Sequence, residues 1–273
     1  MRNIALKTRG ETVILTFYPH PRTVLFPDDT GLKLLTTQEE KMKLLESQGV
    51  DHVIVVPFTK EFSRISSLDF VREILVSRLG TKKLVIGYNH HFGRNREGSF
   101  EHLKEFGPLY GFEVEEIPAL DVDQIEVSST KIRKALESGN IEMANAFLGY
   151  NYGLSGMVIE GTKTGRVLGF PTANLSIAEK FKLIPGNGVY AVKSIYKGKE
   201  LLGMANIGIR PTFGGKTLQI EAHFFDFNDN LYGEEINLGF IKKIRDEKKF
   251  SSAEALKTRL ENDKAEALEI LKL

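Results

Sequence analysis

Thr172 and Asn174 stand two apart at the end of Gly161-Thr-Lys-Thr-Gly-Arg-Val-Leu-Gly-Phe-Pro-Thr-Ala-Asn174. In an extended segment that spacing puts both side chains on one side. Their neutral oxygens suit Mg²⁺, which also takes waters and substrate phosphates as ligands. Ahead of them, Gly161, Gly165 and Gly169 bracket Lys163 and Arg166, so backbone amides and cations are available to wrap phosphates. The segment is not a P-loop, because Gly156 to Gly161 is followed by Thr162 rather than by Lys and Ser/Thr. A flexible hairpin loop ending in a proline turn is the plainer alternative.

Glu221 lies in Ile-Glu-Ala-His-Phe-Phe-Asp-Phe. A carboxylate among apolar neighbours in a strand is costly unless exposed, paired or used. Used, it accepts the proton of a substrate hydroxyl during phosphoryl transfer. Alternation puts Glu221, His223 and Phe225 on one face, and Ile220, Ala222 and Phe224 on the other. The alternative is a solvent-facing acid on an edge strand. In Val127-Ser-Ser-Thr-Lys-Ile-Arg133, Ser128, Ser129 and Thr130 open a helix over Lys131 to Glu137. Free N–H groups, hydroxyls, Lys131 and Arg133 then converge as an anion site, or simply as a capped helix with a solvated basic face. The histidines form no metal pattern: His90 and His91 are adjacent, and no HExxH or GxSxG occurs.

These residues need elements to hold them. Thr12 to Phe17, Asp51 to Phe58, Lys82 to Tyr88 and Phe112 to Pro118 are short apolar, β-branched runs that read as strands. Between them, Thr37-Thr-Gln-Glu40 is a capping box opening a helix that stops near Gly49. Ser66 to Gly80 is a second amphipathic helix, and Ser99 to Phe106 a third, cut short near Pro108. The alternation predicts a parallel α/β sheet, with ligands at the carboxyl ends of its strands. Tyr18-Pro-His-Pro21 and Asn89-His-His-Phe-Gly-Arg-Asn-Arg-Glu-Gly98 stand at two such ends.

From Tyr152 to Arg245 the runs are short, β-rich and punctuated by glycine. Gly188 to Tyr196, a Lys197-Gly198 turn, and Lys199 to Asn206 predict a hairpin; Leu218 to Phe227 and Glu234 to Ile244 are further strands. Such spacing suggests a small barrel or sandwich. A terminal helix follows, capped by Ser251, with the domain boundary between Gly149 and Gly153.

Composition limits the possibilities. With 37 Lys+Arg against 36 Asp+Glu, the net charge of +1 excludes a dominant nonspecific nucleic-acid binder. Zero cysteines exclude disulfides, thiolate metal sites and thiol catalysis, and fit a reducing cytoplasm. No apolar run reaches the roughly 18 residues of a membrane span, and MRNIALKTRG does not read as a secretory signal. The 273 residues suggest two domains.

The chain resembles the bacterial bifunctional riboflavin kinase/FMN adenylyltransferases (FAD synthetases) over nearly its whole length. In the second half the resemblance rests on Gly165-Arg-Val-Leu-Gly-Phe-Pro-Thr-Ala-Asn-Leu175, Asn206-Ile-Gly-Ile-Arg-Pro-Thr-Phe213 and Glu221-Ala-His-Phe-Phe-Asp-Phe227. In the first half it rests on Phe17-Tyr-Pro-His-Pro21, Gly87-Tyr-Asn-His-His-Phe-Gly93 with Arg96 and Gly98, and Ser128 to Arg133. It implies a Rossmann-like nucleotidyltransferase domain over 1–150, lacking its first strand. A Greek-key β-barrel riboflavin kinase domain with a C-terminal helix follows over 151–273.

By this resemblance Thr172 and Asn174 hold Mg²⁺ and the ATP phosphates, and Glu221 is the base on the ribityl 5′-hydroxyl. Arg245 lies near the flavin, while Gly161, Lys163, Gly165 and Arg166 belong to a mobile flap over the nucleotide. In the other domain Ser128, Ser129, Thr130 and Arg133 grip ATP, and Pro19, His20, Pro21, Asn89 and Phe92 contact the flavin. Riboflavin, FMN, FAD and ATP are the implied small-molecule ligands. The implied protein is a cytoplasmic monomer or weak oligomer, with neither a nucleic-acid nor a membrane partner.

Two departures stand out. The family often has Asp-Phe where Asn89-His90 stands. It also carries an HxGH pair that stabilises the α-phosphate, and this sequence contains none. The expectation is impaired adenylyl transfer. A flavin- or nucleotide-binding regulatory protein with a non-catalytic first domain is the alternative.

Overall fold

The computed structural model describes residues 1–29, 31–87, 90–118, 120–122, 125–161, 164–212 and 215–272. It divides into two compact units, 1–32 with 38–126 and 33–37 with 127–273. The helical stretch after residue 126 is therefore counted with the barrel that follows it.

The first unit begins with α1 (Arg2–Thr8), β1 (Val13–Tyr18), α2 (Pro21–Leu25), α3 (Gln38–Ser47) and β2 (His52–Pro57). Next come α4, which starts as an α-turn (Ser67–Asp69) and continues as a π-helix (Phe70–Arg78), β3 (Lys83–Gly87), α5 (Phe100–Tyr110) and β4 (Glu113–Ile117). Two short strands, β5 (Asp121–Val122) and β6 (Ile125–Glu126), pair with each other. Ser66 caps α4 by accepting from Asp69 N–H at 3.0 Å. The apolar stripe of α4 buries Val71 and Leu75 against Ile86, Leu103 and Phe112.

The parallel pairing is as the sequence predicts, and among the described residues it takes the form of two pairs rather than one continuous sheet. β1 pairs with β2 and β3 with β4, each in parallel register, as two separate two-stranded sheets. Helices α3 and α5 supply the crossovers that parallel neighbours require. Among the described residues no strand joins the two pairs. Helix α5 also outruns its predicted end and includes Pro108. Proline there removes one i→i−4 hydrogen bond without stopping the helix, which ends instead at left-handed Gly111 (φ 75°).

The second unit opens with α6 (Ser129–Glu137) and α7 (Ile141–Leu148), capped by Ser128 and Asn140. Then follow β7 (Gly153–Ile159), the short helix α8 (Thr164–Val167), β8 (Ala173–Ser176), β9 (Gly188–Tyr196), β10 (Lys199–Thr212), β11 (Gly215–Phe224), β12 (Glu235–Arg245) and α9 (Ala253–Leu271). The strands close into a barrel in the order β10-β11-β8-β7-β12-β9, every pair antiparallel. Closure gives each of these strands a partner on both sides. Lys197 (φ 48°) and Gly198 (φ 79°) make the predicted two-residue turn between β9 and β10, where both positions need positive φ. Buried Leu154, Tyr190, Val192, Ala205, Ile207, Ala222, Leu238 and Phe240 show the strand alternation at work. Helix α9 covers Val189, Ala191, Met204 and Phe225 with Ala267 and Leu271. Its cap is Ser252, one residue after the predicted Ser251: Ser252 Oγ accepts from Ala255 N–H at 3.2 Å.

Candidate active site

Barrel register brings distant segments into one row. Ile159 is opposite Asn174, Asn174 opposite Glu221, Glu221 opposite Asn206, Asn206 opposite Val189, and Val189 opposite Arg245. Directly opposed residues hold their Cβ atoms about 5 Å apart. Asn174 and Glu221 are therefore neighbours although 47 positions separate them, by the difference of their residue numbers. Thr172 Oγ1 donates to Glu221 Oε2 at 3.4 Å, so the predicted pair on one side of the segment converges on the predicted base.

The glycine loop is fitted to the same row. A Cβ at Gly161 would overlap the Asn174 side-chain amide, and one at Gly165 would overlap the Phe170 carbonyl. These two positions need glycine because the backbone approaches so closely. Phe170 N–H donates back to Gly165 O at 2.8 Å, folding the loop on itself around α8. Arg166 on α8 is exposed. Lys163 lies outside the described residues.

His223, on the Glu221 face of β11, anchors the segment before Thr172. It is 8% exposed and its Nδ1 lies 2.8 Å from Pro171 O. A carbonyl only accepts, so Nδ1 carries the proton. Phe170 and Phe225 pack edge-on to the ring at 5.2 and 5.7 Å. Burial pushes the imidazole below its ordinary pKa and outweighs the opposing pull of the Pro171 carbonyl; the Lys264 ammonium adds to the lowering.

Two cavities flank β8. One, of about 460 Å³, is lined by Ile159, Gly161, Asn174, Ser176, Leu218 and Gln219, among others. The second, of about 450 Å³, is lined by residues including Arg166, Thr172, Phe224, Phe227, Asn228 and Tyr232. Both are of ligand-binding size. No group of three or more His, Cys, Asp or Glu able to hold a metal occurs among the described residues. Thr172 and Asn174 beside Glu221 instead offer a sparse oxygen set, which fits a Mg²⁺ that completes its shell with water and phosphate.

At the end of the row, Arg245 is already engaged. Its Nε donates to Asp263 Oδ1 and Oδ2 at 2.9 and 3.0 Å, and its Nη2 to Oδ2 at 2.7 Å. Asp263 is fully buried, and Arg259 Nε lies 2.8 Å from its Oδ1. The sequence reading missed Asp263; the Arg259–Asp263 spacing of i,i+4 was its signal. Asn206 was legible only within a quoted motif. Gln219 was missed too, although it precedes Glu221 by one strand period.

The other predicted residues are dispersed. Pro19, His20 and Pro21 follow β1, where His20 Nδ1 accepts from Arg22 N–H at 3.2 Å and caps α2. Phe92 bridges to Gly98, and its ring packs on Phe70 at 5.7 Å and His90 at 6.3 Å. Asn89 lies outside the described residues. Ser128, Ser129, Thr130 and Arg133 fall in the second compact unit, unlike Pro19 to Pro21 and Phe92. There Ser128 Oγ accepts from Lys131 N–H at 3.3 Å, Ser129 and Thr130 are exposed, and Arg133 Nε donates to Lys33 O at 2.7 Å.

A six-stranded antiparallel barrel carrying a hydroxyl, an amide and a carboxylate beside a glycine loop, joined to a parallel α/β unit, defines a two-domain transferase class. Family models agree: residues 148–271 match riboflavin kinase and residues 1–131 match FAD synthetase. The chain is 41% identical over 264 residues to the bifunctional riboflavin kinase/FMN adenylyltransferase of Buchnera aphidicola from Schizaphis graminum, covering 95% of this chain and 84% of that protein. It is 37% identical over 262 residues to the Escherichia coli K12 protein described in the same words, covering 96% and 83%. A solved structure described as a macrolide-efflux protein from Streptococcus pneumoniae superposes with a TM-score of 0.87 at 29% identity, covering 97% of this chain and 85% of that one. No helix of the described residues is long and apolar enough to cross a membrane. The chain belongs to the bifunctional riboflavin kinase/FMN adenylyltransferase family, the enzymes of flavin cofactor biosynthesis.

Proposed function

We propose that the barrel transfers the γ-phosphoryl group of ATP to the 5′-hydroxyl of riboflavin, giving FMN and ADP. The observation that carries this reading is the Asn174–Glu221 cross-strand pair, with the Thr172 hydroxyl 3.4 Å from Glu221. The riboflavin hydroxyl oxygen attacks the γ-phosphorus, the bond to the β,γ-bridging oxygen breaks, and Glu221 takes the hydroxyl proton. Such transfer needs positioning and charge stabilisation more than covalent chemistry. Thr172 and Asn174 orient the nucleotide phosphates, with Mg²⁺ neutralising their charge when bound. Gly161, Lys163, Gly165 and Arg166 close over the nucleotide. Arg245, fixed in direction by Asp263, faces the flavin.

Residues 151–273 form the kinase domain on this reading, and residues 1–150 the FMN adenylyltransferase domain. There Ser128, Ser129, Thr130 and Arg133 bind ATP, and Pro19, His20, Pro21, Asn89 and Phe92 bind the flavin. These 273 residues contain no HxGH, and on this reading they transfer the adenylyl group weakly by themselves. The protein works in the cytoplasm as a monomer or weak oligomer. The assembled Thr172, Asn174 and Glu221 set favours catalysis over a purely regulatory binding role.

Glu221→Gln keeps the shape and removes the base. It should lower kcat for FMN formation about 10²-fold or more while leaving the KM for ATP near its original value. An unchanged kcat removes Glu221 from the reaction.

A further inference from the structure

Gln219 also sits on β11, two residues before Glu221 and so on the same face. It lines the 460 Å³ cavity together with Asn174. Among the described residues its carbonyl oxygen Oε1, closed off from solvent, has no hydrogen-bond partner. Buried acceptors are rarely left this way without a reason. Directly opposite Gln219 on β10 is Gly208, which has no side chain to offer. The Glu247 carboxylate lies against the open side of Gly208.

We propose that Gln219 is a specificity-determining residue for the alcohol substrate, its Oε1 accepting a hydrogen bond from an inner hydroxyl of the substrate's polyol chain. The inference rests on the kinase reading above. It adds a recognition element where that reading has only a base. An acceptor lacking a donor is complementary to a ligand rich in hydroxyl donors. Spacing fits as well: residues two apart on a strand are displaced by about 6.7 Å. A chain with its terminal hydroxyl at Glu221 that runs along β11 in this direction brings an inner hydroxyl to Gln219. Such a site discriminates because an analogue lacking that hydroxyl leaves the acceptor unsatisfied again.

The test is a cycle between protein and substrate. The full chain and Gln219→Leu are compared on riboflavin and on analogues that each lack one ribityl hydroxyl other than the 5′. The original chain should lose about 10-fold in kcat/KM on one analogue. Gln219→Leu should lose a similar factor on riboflavin, keep its KM for ATP, and treat riboflavin and that analogue alike. If the Leu variant misfolds by circular dichroism, Gln219→Met, closer in shape, takes its place in the same cycle. A loss equally large on riboflavin and on every analogue, or one that falls on the KM for ATP, overturns the proposal. Failure of the original chain to phosphorylate riboflavin would instead overturn the kinase reading beneath it.

Discussion

In the barrel, Gly161, Thr172, Asn174 and Glu221 arrive from three separate stretches of chain and meet because strand register makes them neighbours. In the α/β unit, Pro19 to Pro21 and Phe92 follow strand ends: His20 caps the helix that begins beside it, and Phe92 packs into the core of its own unit. The comparison shows what a closed ladder does for a site. Every strand of the barrel is fixed on both sides, so one residue's position determines its neighbours' positions. Two separate parallel pairs impose no such constraint on the loops that leave them.

The electrostatics differ in the same way. The barrel side holds a fully buried carboxylate, Asp263, between two guanidiniums. In the α/β unit, pairs such as Arg72–Asp69 and Lys83–Glu115 lie nearer solvent. Asp263→Ala should therefore cost about 3 kcal/mol of unfolding free energy by stranding Arg245 and Arg259. Glu115→Ala should leave the unfolding midpoint within error, since exposed pairs such as Lys83–Glu115 contribute little. Equal effects in denaturant melts would erase the contrast.

A smaller effect concerns acid. Burial lowers the pKa of His223, so the folded state resists a proton that the unfolded chain accepts near pH 6.5. Unfolded chains then bind more protons as pH falls below 6.5, and stability is lost in that direction, by at most about 1.4 kcal/mol per pH unit for one site. His223→Gln, which keeps a donor for Pro171 O, should unfold with a shallower dependence between pH 6.5 and 5. An unchanged slope would remove His223 as the source.

The smallest effect expected is at Arg133. It donates to Lys33 O rather than to any residue of the Glu221 row. Arg133→Ala should leave FMN formation unchanged in steady-state assay. A large loss would mean that the two candidate sites share residues, and the comparison would fail.

Much of this was readable in the sequence, for identifiable reasons. Period-2 alternation placed Glu221 and His223 on one face, and the Lys197-Gly198 turn fixed a hairpin. Thr172 and Asn174 were legible because a spacing of two on extended chain has one geometric meaning. Register around the barrel was not legible: that Asn174 opposes Glu221 depends on pairing between segments 47 positions apart, by the difference of their numbers. The separation into two parallel pairs was also hidden, because apolar runs announce strands without naming their partners. Proline at 108 misled because one lost ladder bond did not stop a helix whose Leu103 and Gly107 are buried. Asp263 was hidden in a polar helix whose burial is decided by packing on β12.

The most direct test of the account is to incubate the 273-residue chain with riboflavin and Mg-ATP and separate the flavins by chromatography. The account predicts that FMN accumulates with little FAD, the barrel working while the half without HxGH lags. A folded chain that forms no FMN would contradict the kinase assignment. FAD formed as readily as FMN would contradict the account of the α/β unit.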